Sequence, residues 1–433
     1  MFKQILKQLW FYRRGNAWLF VEMTLITAAS WFLVNTVWPY HYRSKLPDGY
    51  NAEGVYAVVL NTLYDGQRGY DAASDTPEAR SADFRRIGEA LNRIPEIQEA
   101  APVGYTLPGL SAANYNTSAV VSIDTVEGTQ HSVYFAYHAR EAGSRDMEIM
   151  GYKVIWPADG RIEAVPGSAV ITYGLAEELY PGENPVGRKL TEADPRYNWT
   201  ISGVIAPVKI YKDREYREFV MYASADITRD PSNVVPYYCF RLKPGVDEKA
   251  FIAEASRTWG EKLAFGNYRM GSIASVEDRL ESESADNFTW QALLIFLLVC
   301  MLIGVASFAW LRIRERRSET GVRRAMGASS AAVLLSYLAE VWMLYLGALA
   351  LGIVLVLNVV LIGKVDFCSP GLDAGIVSGI TRSSLPLLFD PVLHFLCVSG
   401  IVAAILLAVV TVSTVIPVAG ALKEPMAEVL KDE

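Results

Sequence analysis

The sequence predicts an α-helical membrane protein with four transmembrane helices and a large extracytoplasmic α+β domain. Four apolar stretches each reach the roughly 20 residues that a helix needs to cross a bilayer core. Arginines and lysines gather at the ends of these stretches in the pattern expected of cytoplasmic loops. Residues 41–287, between the first and second stretches, alternate short strand-like runs with amphipathic helical runs.

The composition supports a membrane protein. The 433 residues are 52% hydrophobic and carry a formal net charge of −7, which is more apolar than is usual for a soluble protein. The basic residues lie at the edges of apolar stretches, so the chain does not offer the basic face that a nucleic-acid partner requires. The four cysteines show no short spacing, which argues against a zinc site and against a disulfide framework.

The four predicted spans are separated by segments of very different length. The spans lie at residues 17–40, 288–311, 333–363 and 393–418. The other segments are 1–16, 41–287, 312–332, 364–392 and 419–433. The first span is too long for a signal peptide and lacks a small-residue cleavage site, so we expect an uncleaved anchor. Residues 1–16 are predicted to form a cytoplasmic amphipathic helix; an inward extension of the first span is the alternative.

Lysines and arginines define the orientation. The N-terminal flank carries four of them and the segment 312–332 carries six arginines, whereas the segment 364–392 has only Lys364 and Arg382. Both termini and the segment 312–332 are therefore predicted to be cytoplasmic, and residues 41–287 to lie outside. Aromatic residues at the outer end of the first span are typical of a membrane-interface belt. They are Trp31, Trp38, Tyr40 and Tyr42.

The outer region contains two β-α-β patterns, one at each end. The first runs from Val55 to Tyr105 and the second from Tyr237 to Ile273. The short alternating runs between them predict a mostly β insertion. The outer domain is therefore predicted to be a split β-α-β module with a β-rich insertion.

The sequence offers little for catalysis. The segment Gly182–Leu190, GENPVGRKL, spaces two glycines as a Walker A loop does, but Arg188 precedes the lysine and Leu190 stands where Ser or Thr is needed. A surface turn is the favoured interpretation. The four histidines lack metal-ligand spacing. We expect no catalytic, cofactor or metal site in this chain, and any ATP to be bound by a separate subunit.

Two carboxylates interrupt the apolar spans. Glu22 and Glu340 lie at similar distances from the cytoplasmic ends of the first and third spans. A charge inside a bilayer is costly, so such residues usually face a partner or a water-filled cavity. A proton relay is one interpretation, and an ion pair with an arginine or snorkelling toward the inner interface is the favoured one. Small residues in the second and third spans predict close helix packing, within the chain or with a second copy. They are Gly304, Ser307, Ala348 and Gly352.

The cytoplasmic segment Arg314–Ser330, RERRSETGVRRAMGASS, carries more than orientation requires. If Glu319–Ser330 is helical and continues into the third span, four apolar residues form one stripe. They are Val322, Ala325, Met326 and Val333. The segment is therefore either a positive-inside loop or a short helix whose apolar ridge binds a soluble partner.

This segment resembles the E-x-G-[IV]-R-x-A-[LM]-G-A signature of FtsX-like permeases, the membrane subunits of MacB-type ABC transporters. The matching residues are Glu319, Gly321, Val322, Arg323, Ala325, Met326, Gly327 and Ala328. Glu340 matches an acidic residue common early in the third span of the family. The stretch Pro166–Leu190 is similar to an external segment of the family, and Glu424–Glu433 is similar to its C-terminal tail. With the order of one span, an outer domain and three more spans, the resemblance covers nearly the whole chain.

The resemblance implies a permease dimer, made with a second copy or a related permease, that sits on cytoplasmic ABC ATPases. In that family the helix between the second and third spans couples to the ATPase, which gives the eight matching residues this role. The resemblance further implies a bacterial inner-membrane location with the large domain in the periplasm. A periplasmic adaptor or an outer-membrane partner would also be compatible with it.

Three functions remain open from the sequence. The leading one is ATP-driven export of, or defence against, amphiphilic compounds or antimicrobial peptides. The alternatives are lipoprotein release, which an exposed apolar cleft in the outer domain would favour, and regulation of an envelope or cell-division partner.

The chain departs from the family after the fourth span. A basic P-A-R-R-A type run is replaced there by Ile416–Pro425, IPVAGALKEP, with only Lys423.

Overall fold

The structure is a computed structural model, and it describes most of the chain. The described residues are 13–103, 121–123, 135–192, 198–209, 216, 218–229, 237–278, 286–365, 367–368 and 379–422. The chain divides into two compact units. The helical unit comprises Met1–His41, Asp286–Pro370 and Pro386–Glu433, and the outer unit comprises Tyr42–Ala285 and Gly371–Leu385.

Helices and strands follow one another in the predicted order. The helices are α1 (Arg13–Ser44), α2 (Pro77–Asn92), α3 (Asp146–Met150), α4 (Tyr173–Leu179), α5 (Glu248–Lys262), α6 (Asp286–Glu315), α7 (Arg317–Ala325), α8 (Ser330–Gly363), α9 (Gly379–Ser384), α10 (Pro386–Phe389) and α11 (Pro391–Ala421), with a 3-10 helix at Ala72–Asp75. The strands are β1 (Val55–Thr62), β2 (Ile97–Val103), β3 (Val121–Ile123), β4 (Ala136–Glu141), β5 (Val154–Trp156), β6 (Ser168–Thr172), β7 (Lys189–Glu192), β8 (Asn198–Ile205), β9 (Phe219–Ser224), β10 (Tyr237–Leu242) and β11 (Tyr268–Ser275).

Within the described residues, four helices are long and apolar enough to cross a membrane. They span Asn16–Ser44, Phe288–Glu315, Ser330–Gly363 and Pro391–Ala421. Each predicted span lies inside one of these helices, and each helix extends beyond the apolar window by several residues. In the first two helices these extensions, residues 41–44 and 312–315, are polar turns that hydropathy alone does not include. Residues 1–12, which contain most of the predicted amphipathic helix, lie outside the described part of the chain.

Helix α1 packs against the other long helices through small residues. A Cβ atom added at Gly352 of α8 would lie 2.8 Å from the side chain of Thr27 and 3.0 Å from the carbonyl oxygen of Thr24. Gly304 of α6 lies against the carboxylate of Glu22, and Ala348 is fully buried. Three of the four small residues singled out in the sequence therefore sit at helix contacts. Ser307 is exposed in the single chain, so its predicted packing against a second copy stays a prediction.

Trp31 shows where the aromatic-belt prediction was wrong. Its side chain is fully buried in the helical unit, and its indole Nε1 donates to Ser399 Oγ of α11 at 3.0 Å. Trp31 also packs edge-on against Phe367 with ring centroids 5.8 Å apart. The indole is thus a core residue that joins α1 to α11, because its single polar atom finds a partner inside the bundle.

Replacing Gly352 with alanine is expected to destabilise the helical unit by about 1–3 kcal/mol, because the added methyl overpacks a tight contact with α1. Gly400→Ala in α11 is the matched control, since no atom lies within 4 Å of a Cβ at that position. There the change should be neutral or stabilising by up to about 1 kcal/mol through helix propensity. Thermal unfolding of the two purified variants in one detergent measures the difference. Equal midpoints would contradict the close α1–α8 contact.

The outer unit is built on a split α/β module. Strands β11, β1, β10 and β2 lie side by side in that order and are antiparallel. The module contains the two predicted β-α-β units, β1-α2-β2 and β10-α5-β11, in the β-α-β-β-α-β arrangement. Both helices cover one face of the sheet, because Phe84, Ile87 and Trp259 share a core with Tyr238 and Phe240. The predicted split module is confirmed.

The middle of the outer unit is a mostly β insertion. In the described residues, β4, β9, β6, β8, β7 and β3 continue the same sheet, and β5 pairs with β8. The insertion joins the module where Val103 of β2 pairs with Arg140 of β4. Arg140 is buried there and its guanidinium contacts the Asp146 carboxylate at 2.5 Å. Burial opposes the charge of Arg140, but the Asp146 carboxylate outweighs burial and raises the pKa of the guanidinium.

Candidate functional site at the cytoplasmic arginine segment

The arginine-rich segment between α6 and α8 forms a separate short helix. Helix α7 begins directly after Arg316 and ends at Ala325 with Met326 as its C-cap, and Gly327 follows with a φ of +97°. That left-handed conformation suits glycine and stops the helix. Ser329 then caps α8, with its Oγ accepting from the N–H of Ala332 at 3.2 Å. The helix is therefore not continuous from Glu319 into the third span, and the condition for a single apolar stripe is not met.

The break at Gly327 divides the predicted apolar stripe. Val322 and Met326 keep 51% and 77% of their surface exposed, and Ala325 is also exposed. We call these three residues the apolar ridge. Val333 lies beyond the break and is buried with Ile313. It therefore belongs to the core of the helical unit and not to the ridge.

The remaining residues of the resemblance support the ridge or flank it. Gly321 is buried, Arg323 and Ala328 are half-buried, and Gly327 is exposed. Glu319 belongs to α7, but its side chain lies outside the described part of the chain. The ridge is thus presented on a turn of helix whose opposite side is packed.

A buried cluster of charges holds the base of α7. Glu340 of α8 forms ion pairs with two arginines. Arg316 Nη1 lies 2.8 Å from Glu340 Oε2, and Arg312 Nη1 lies 3.2 Å from Glu340 Oε1. We call these three residues the carboxylate cluster. All three are buried, and Arg312 also donates to Asn16 Oδ1 of α1. Burying charges is costly unless they are paired, so the arginines and the carboxylate depend on one another.

The carboxylate cluster fixes the start of α7. Arg316 immediately precedes α7, and its contact with Glu340 ties that end to α8. A second contact joins Thr320 Oγ1 and Tyr337 OH, 3.1 Å apart, one turn after Arg316 and one turn before Glu340. Because one carboxylate faces two guanidinium groups, the cluster keeps a net positive charge. Together with the half-buried Arg323 and Arg324, it gives the ridge a cationic surround.

Glu22 and Glu340 differ although their sequence positions are alike. Glu340 makes an ion pair, which is the arrangement favoured from the sequence. Glu22 makes no ion pair among the described residues, and its carboxylate lies against the backbone of Gly304. Glu340 lies within reach of Arg312 and Arg316, whereas Glu22 lies beside Gly304, about two helical turns before Arg312 in α6.

His394 is a polar core residue that the sequence analysis missed. It is fully buried in α11, with Nδ1 2.8 Å from the carbonyl oxygen of Leu387 and Nε2 2.8 Å from Asn35 Oδ1. Asn35 Nδ2 in turn donates to the carbonyl oxygen of Phe367 at 3.2 Å. The network joins α1, α11 and the segment before α11. The sequence gives little indication of this network. Its one clue is Asp390, which caps α11 one turn before His394 and so places His394 near the start of that helix.

The sequence also raised the Gly182–Leu190 segment and the histidines as candidates. The Gly182–Leu190 segment is a turn: Gly182 and Gly187 have positive φ, and the Gly187 N–H donates to the Ile201 carbonyl oxygen at 2.8 Å. The surface-turn interpretation is confirmed. His131 lies outside the described part of the chain, as does the side chain of His138. In that described part, no group of three His, Cys, Asp or Glu residues is placed to hold a metal ion.

Comparison with known families agrees with this architecture. Residues 43–258 match the model of the MacB-like periplasmic core domain, and residues 292–423 match the model of the FtsX-like permease C-terminal region. The first match covers the outer module as far as α5, with its insertion, and the second covers most of the three later membrane helices with α7. A periplasmic core domain joined to such a helical unit defines a membrane permease. The chain belongs to the FtsX-like, MacB-type permease family of ABC transporters.

Individual relatives are distant. The chain is 26% identical over 326 residues to the pyoverdine export ATP-binding/permease protein PvdT of Pseudomonas aeruginosa, a match covering 67% of this chain and 48% of that protein. It thus spans about half the length of this curated relative. The periplasmic region of MacB from Actinobacillus actinomycetemcomitans aligns with a TM-score of 0.33 at 9% identity, covering 54% of this chain and 94% of that one. The extracellular domain of the noncanonic ABC-type transporter YknZ from Gram-positive bacteria aligns with a TM-score of 0.29 at 11% identity. This alignment covers 50% of this chain and 100% of that one.

Proposed function

We propose that this chain is the permease subunit through which a separate cytoplasmic ABC ATPase moves a periplasmic domain. Family membership implies an ABC ATPase as the partner. The single observation that supports a docking site for the ATPase is the apolar ridge. It exposes Val322 and Met326 beside arginines, on a helix anchored by the buried carboxylate cluster. An exposed apolar ridge at a fixed position is the feature that a groove on a soluble partner recognises.

The proposed transport role is export of, or defence against, amphiphilic compounds or antimicrobial peptides. Two observations favour it over lipoprotein release. The relative in Pseudomonas aeruginosa is named for pyoverdine export. Among the described residues of the outer unit, the exposed large apolar side chains are Tyr64 and Val165, which provide little surface for a lipid chain. We further propose that two permease chains form the working dimer in the bacterial inner membrane, with the outer unit in the periplasm.

Recovery of the native complex tests the proposed class. A tagged full-length chain, solubilised from its own host in a mild detergent, should copurify with an ABC ATPase in comparable amount. A strain lacking the gene should become more susceptible to a panel of amphiphilic antibiotics and cationic peptides. If no ATPase is recovered after cross-linking in the membrane, the proposal fails. If susceptibility stays unchanged while the ATPase is recovered, only the export role fails.

The proposed orientation predicts a labelling pattern. In a variant without native cysteines, Glu163→Cys in the outer unit should react with a membrane-impermeant maleimide in cells whose outer membrane has been removed. Ser330→Cys at the start of α8 should react only after the cells are opened, because positive-inside charges place it in the cytoplasm. Both positions are exposed, so accessibility within the fold does not limit labelling. The reverse pattern would invert the orientation.

A further inference from the structure

A fully buried lysine lies at the end of α1. Lys209 has no exposed surface, and its Nζ donates to the carbonyl oxygen of Arg43 at 3.0 Å. The same Nζ lies 2.8 Å from Asp48 Oδ1, and the Lys209 N–H donates to the Asp48 carbonyl oxygen at 3.0 Å. Arg43, Asp48 and Lys209 all belong to the outer unit, which begins at Tyr42. We call these three residues the lysine clamp.

The lysine clamp suits the end of a helix. Arg43 is the penultimate residue of α1, where carbonyl groups lack partners within the helix and carry partial negative charge. A buried ammonium is costly unless it is paired, and here a carboxylate and a helix-end carbonyl pair with it. The position of Lys209 is therefore tied to the last turn of α1 by charge as well as by packing.

A second contact fixes the same two segments. Gly49 has a φ of +83°, and a Cβ at this position would clash with the carbonyl oxygen of Pro207. The backbone of residues 43–49 thus runs directly against the backbone of residues 207–209. The latter segment leaves β8 just after Ile205, and the Ala206 N–H donates to the Lys153 carbonyl oxygen at 2.8 Å beside β5. The clamp consequently leads from α1 into the β-rich insertion.

The covalent path from α1 leads elsewhere. The chain passes from Ser44 through residues 45–54, which are turns and irregular backbone, to β1 of the split module. Such a connection absorbs small movements by changing backbone dihedrals. The contact of Lys209 with the Arg43 carbonyl oxygen bypasses this connection, and Lys209 follows β8, which pairs with β5, β6 and β7. It is the more direct link between the last turn of α1 and the insertion.

We propose that Lys209 is the positioning residue that passes displacement of α1 to the β-rich insertion. This inference rests on the proposed function, in which the ATPase drives such displacement from the cytoplasm. Lys209 is then the residue through which the outer unit receives the movement of α1. Within the outer unit, the β-rich insertion should follow displacement of α1 more closely than the split module does.

A redox-switched variant tests the clamp. The Lys209 N–H donates to the Asp48 carbonyl oxygen, so the two backbones lie side by side, as a disulfide between these positions requires. Asp48→Cys with Lys209→Cys, in a chain whose four native cysteines are replaced, removes the ion pair and substitutes a reversible covalent link. The full chain with its copurified ATPase is compared without nucleotide and with ATP and vanadate. The readout is amide hydrogen exchange of residues 168–205.

The oxidised variant should show the nucleotide-dependent exchange of the parent complex. The reduced variant should lose at least four fifths of that change while its ATPase content and its thermal unfolding stay the same. Glu183→Cys with Arg188→Cys is the matched control, because it removes an exposed ion pair of the same unit. This control should behave like the parent in both redox states. Lys209→Met, which leaves the partly exposed Asp48 solvated, should reproduce the reduced state if the cysteine pair fails to fold.

The outcomes separate the two proposals. If the parent complex recovers no ATPase or shows no nucleotide-dependent exchange, the proposed function fails and the clamp has nothing to transmit. If the parent responds and the reduced variant and Lys209→Met respond equally, the clamp proposal is overturned and the proposed function stands. A structural role alone would shift thermal unfolding in the reduced state without restoring the nucleotide response on oxidation.

Discussion

Replacing Val322 and Met326 together with glutamate is expected to lower ATPase recovery at least tenfold. Each change puts a carboxylate where the proposed partner would bury an apolar side chain, and residues at the centre of an interface commonly contribute about 2 kcal/mol or more. A loss of about 1.4 kcal/mol already weakens binding tenfold. Both side chains are exposed in the isolated chain, so the fold should tolerate the change. Copurification and ATP turnover of the complex are the measurements.

Val165→Glu is a matched control for this experiment. Val165 is 52% exposed, against 51% for Val322, but it lies in the outer unit. It should leave ATPase recovery unchanged while adding the same charge to the same residue type. ATPase recovery from the Val322 and Met326 variant equal to that of the control would remove the apolar ridge as the docking site. Membrane insertion and thermal unfolding of both variants should match the parent chain.

Glu340→Gln is expected to destabilise the helical unit by about 3–5 kcal/mol, because it leaves the buried guanidinium groups of Arg312 and Arg316 without a counter-charge. Reversible unfolding in mixed detergent micelles, or the thermal midpoint, measures this loss. Glu315→Gln is the control, since Glu315 is exposed close to the same arginines. Its effect should stay within about 0.5 kcal/mol.

A triple change distinguishes charge pairing from loss of size. Methionine at Arg312, Arg316 and Glu340 together removes every charge of the cluster, and such replacements of buried ion pairs are often neutral or stabilising. The triple variant should therefore regain most of the stability lost by Glu340→Gln. Equal stability of Glu340→Gln and the parent would show that the cluster does not hold α7. The triple variant still lacks the Arg316 contact that positions α7, so its ATPase recovery should remain below that of the parent.

The two predictions act through different properties of one site. The ridge variant should affect partner recovery without affecting stability, and the Glu340 variant should affect stability first. If the ridge variant and the Glu340 variant each lost both ATPase recovery and stability, α7 would have to unfold whenever the ridge or Glu340 is changed. The ATPase-coupling role of the eight residues from Glu319 to Ala328 stays a prediction until these measurements are made.

Local sequence patterns determined the architecture. Helical hydropathy of sufficient length predicted the four long helices, because lipid requires every backbone hydrogen bond to be made within the segment. Alternation and amphipathic periodicity predicted the split module and its β insertion, since both depend on residues close together in the chain. The signature in Arg314–Ser330 indicated the family, and comparison confirmed it. These features are encoded within windows of a few tens of residues.

Only the tertiary structure decided which polar groups meet. Lys209 and Arg43 are 166 positions apart, and His394 and Asn35 are 359 apart. Sequence spacing does not specify such pairs, because the partner of a buried charge is chosen by whichever helix or strand packs beside it. For the same reason Glu340 forms ion pairs with two arginines, whereas the Glu22 carboxylate lies against the backbone of Gly304. The break at Gly327 likewise depended on its left-handed backbone, which separated an exposed ridge from a buried core residue that the periodicity had joined.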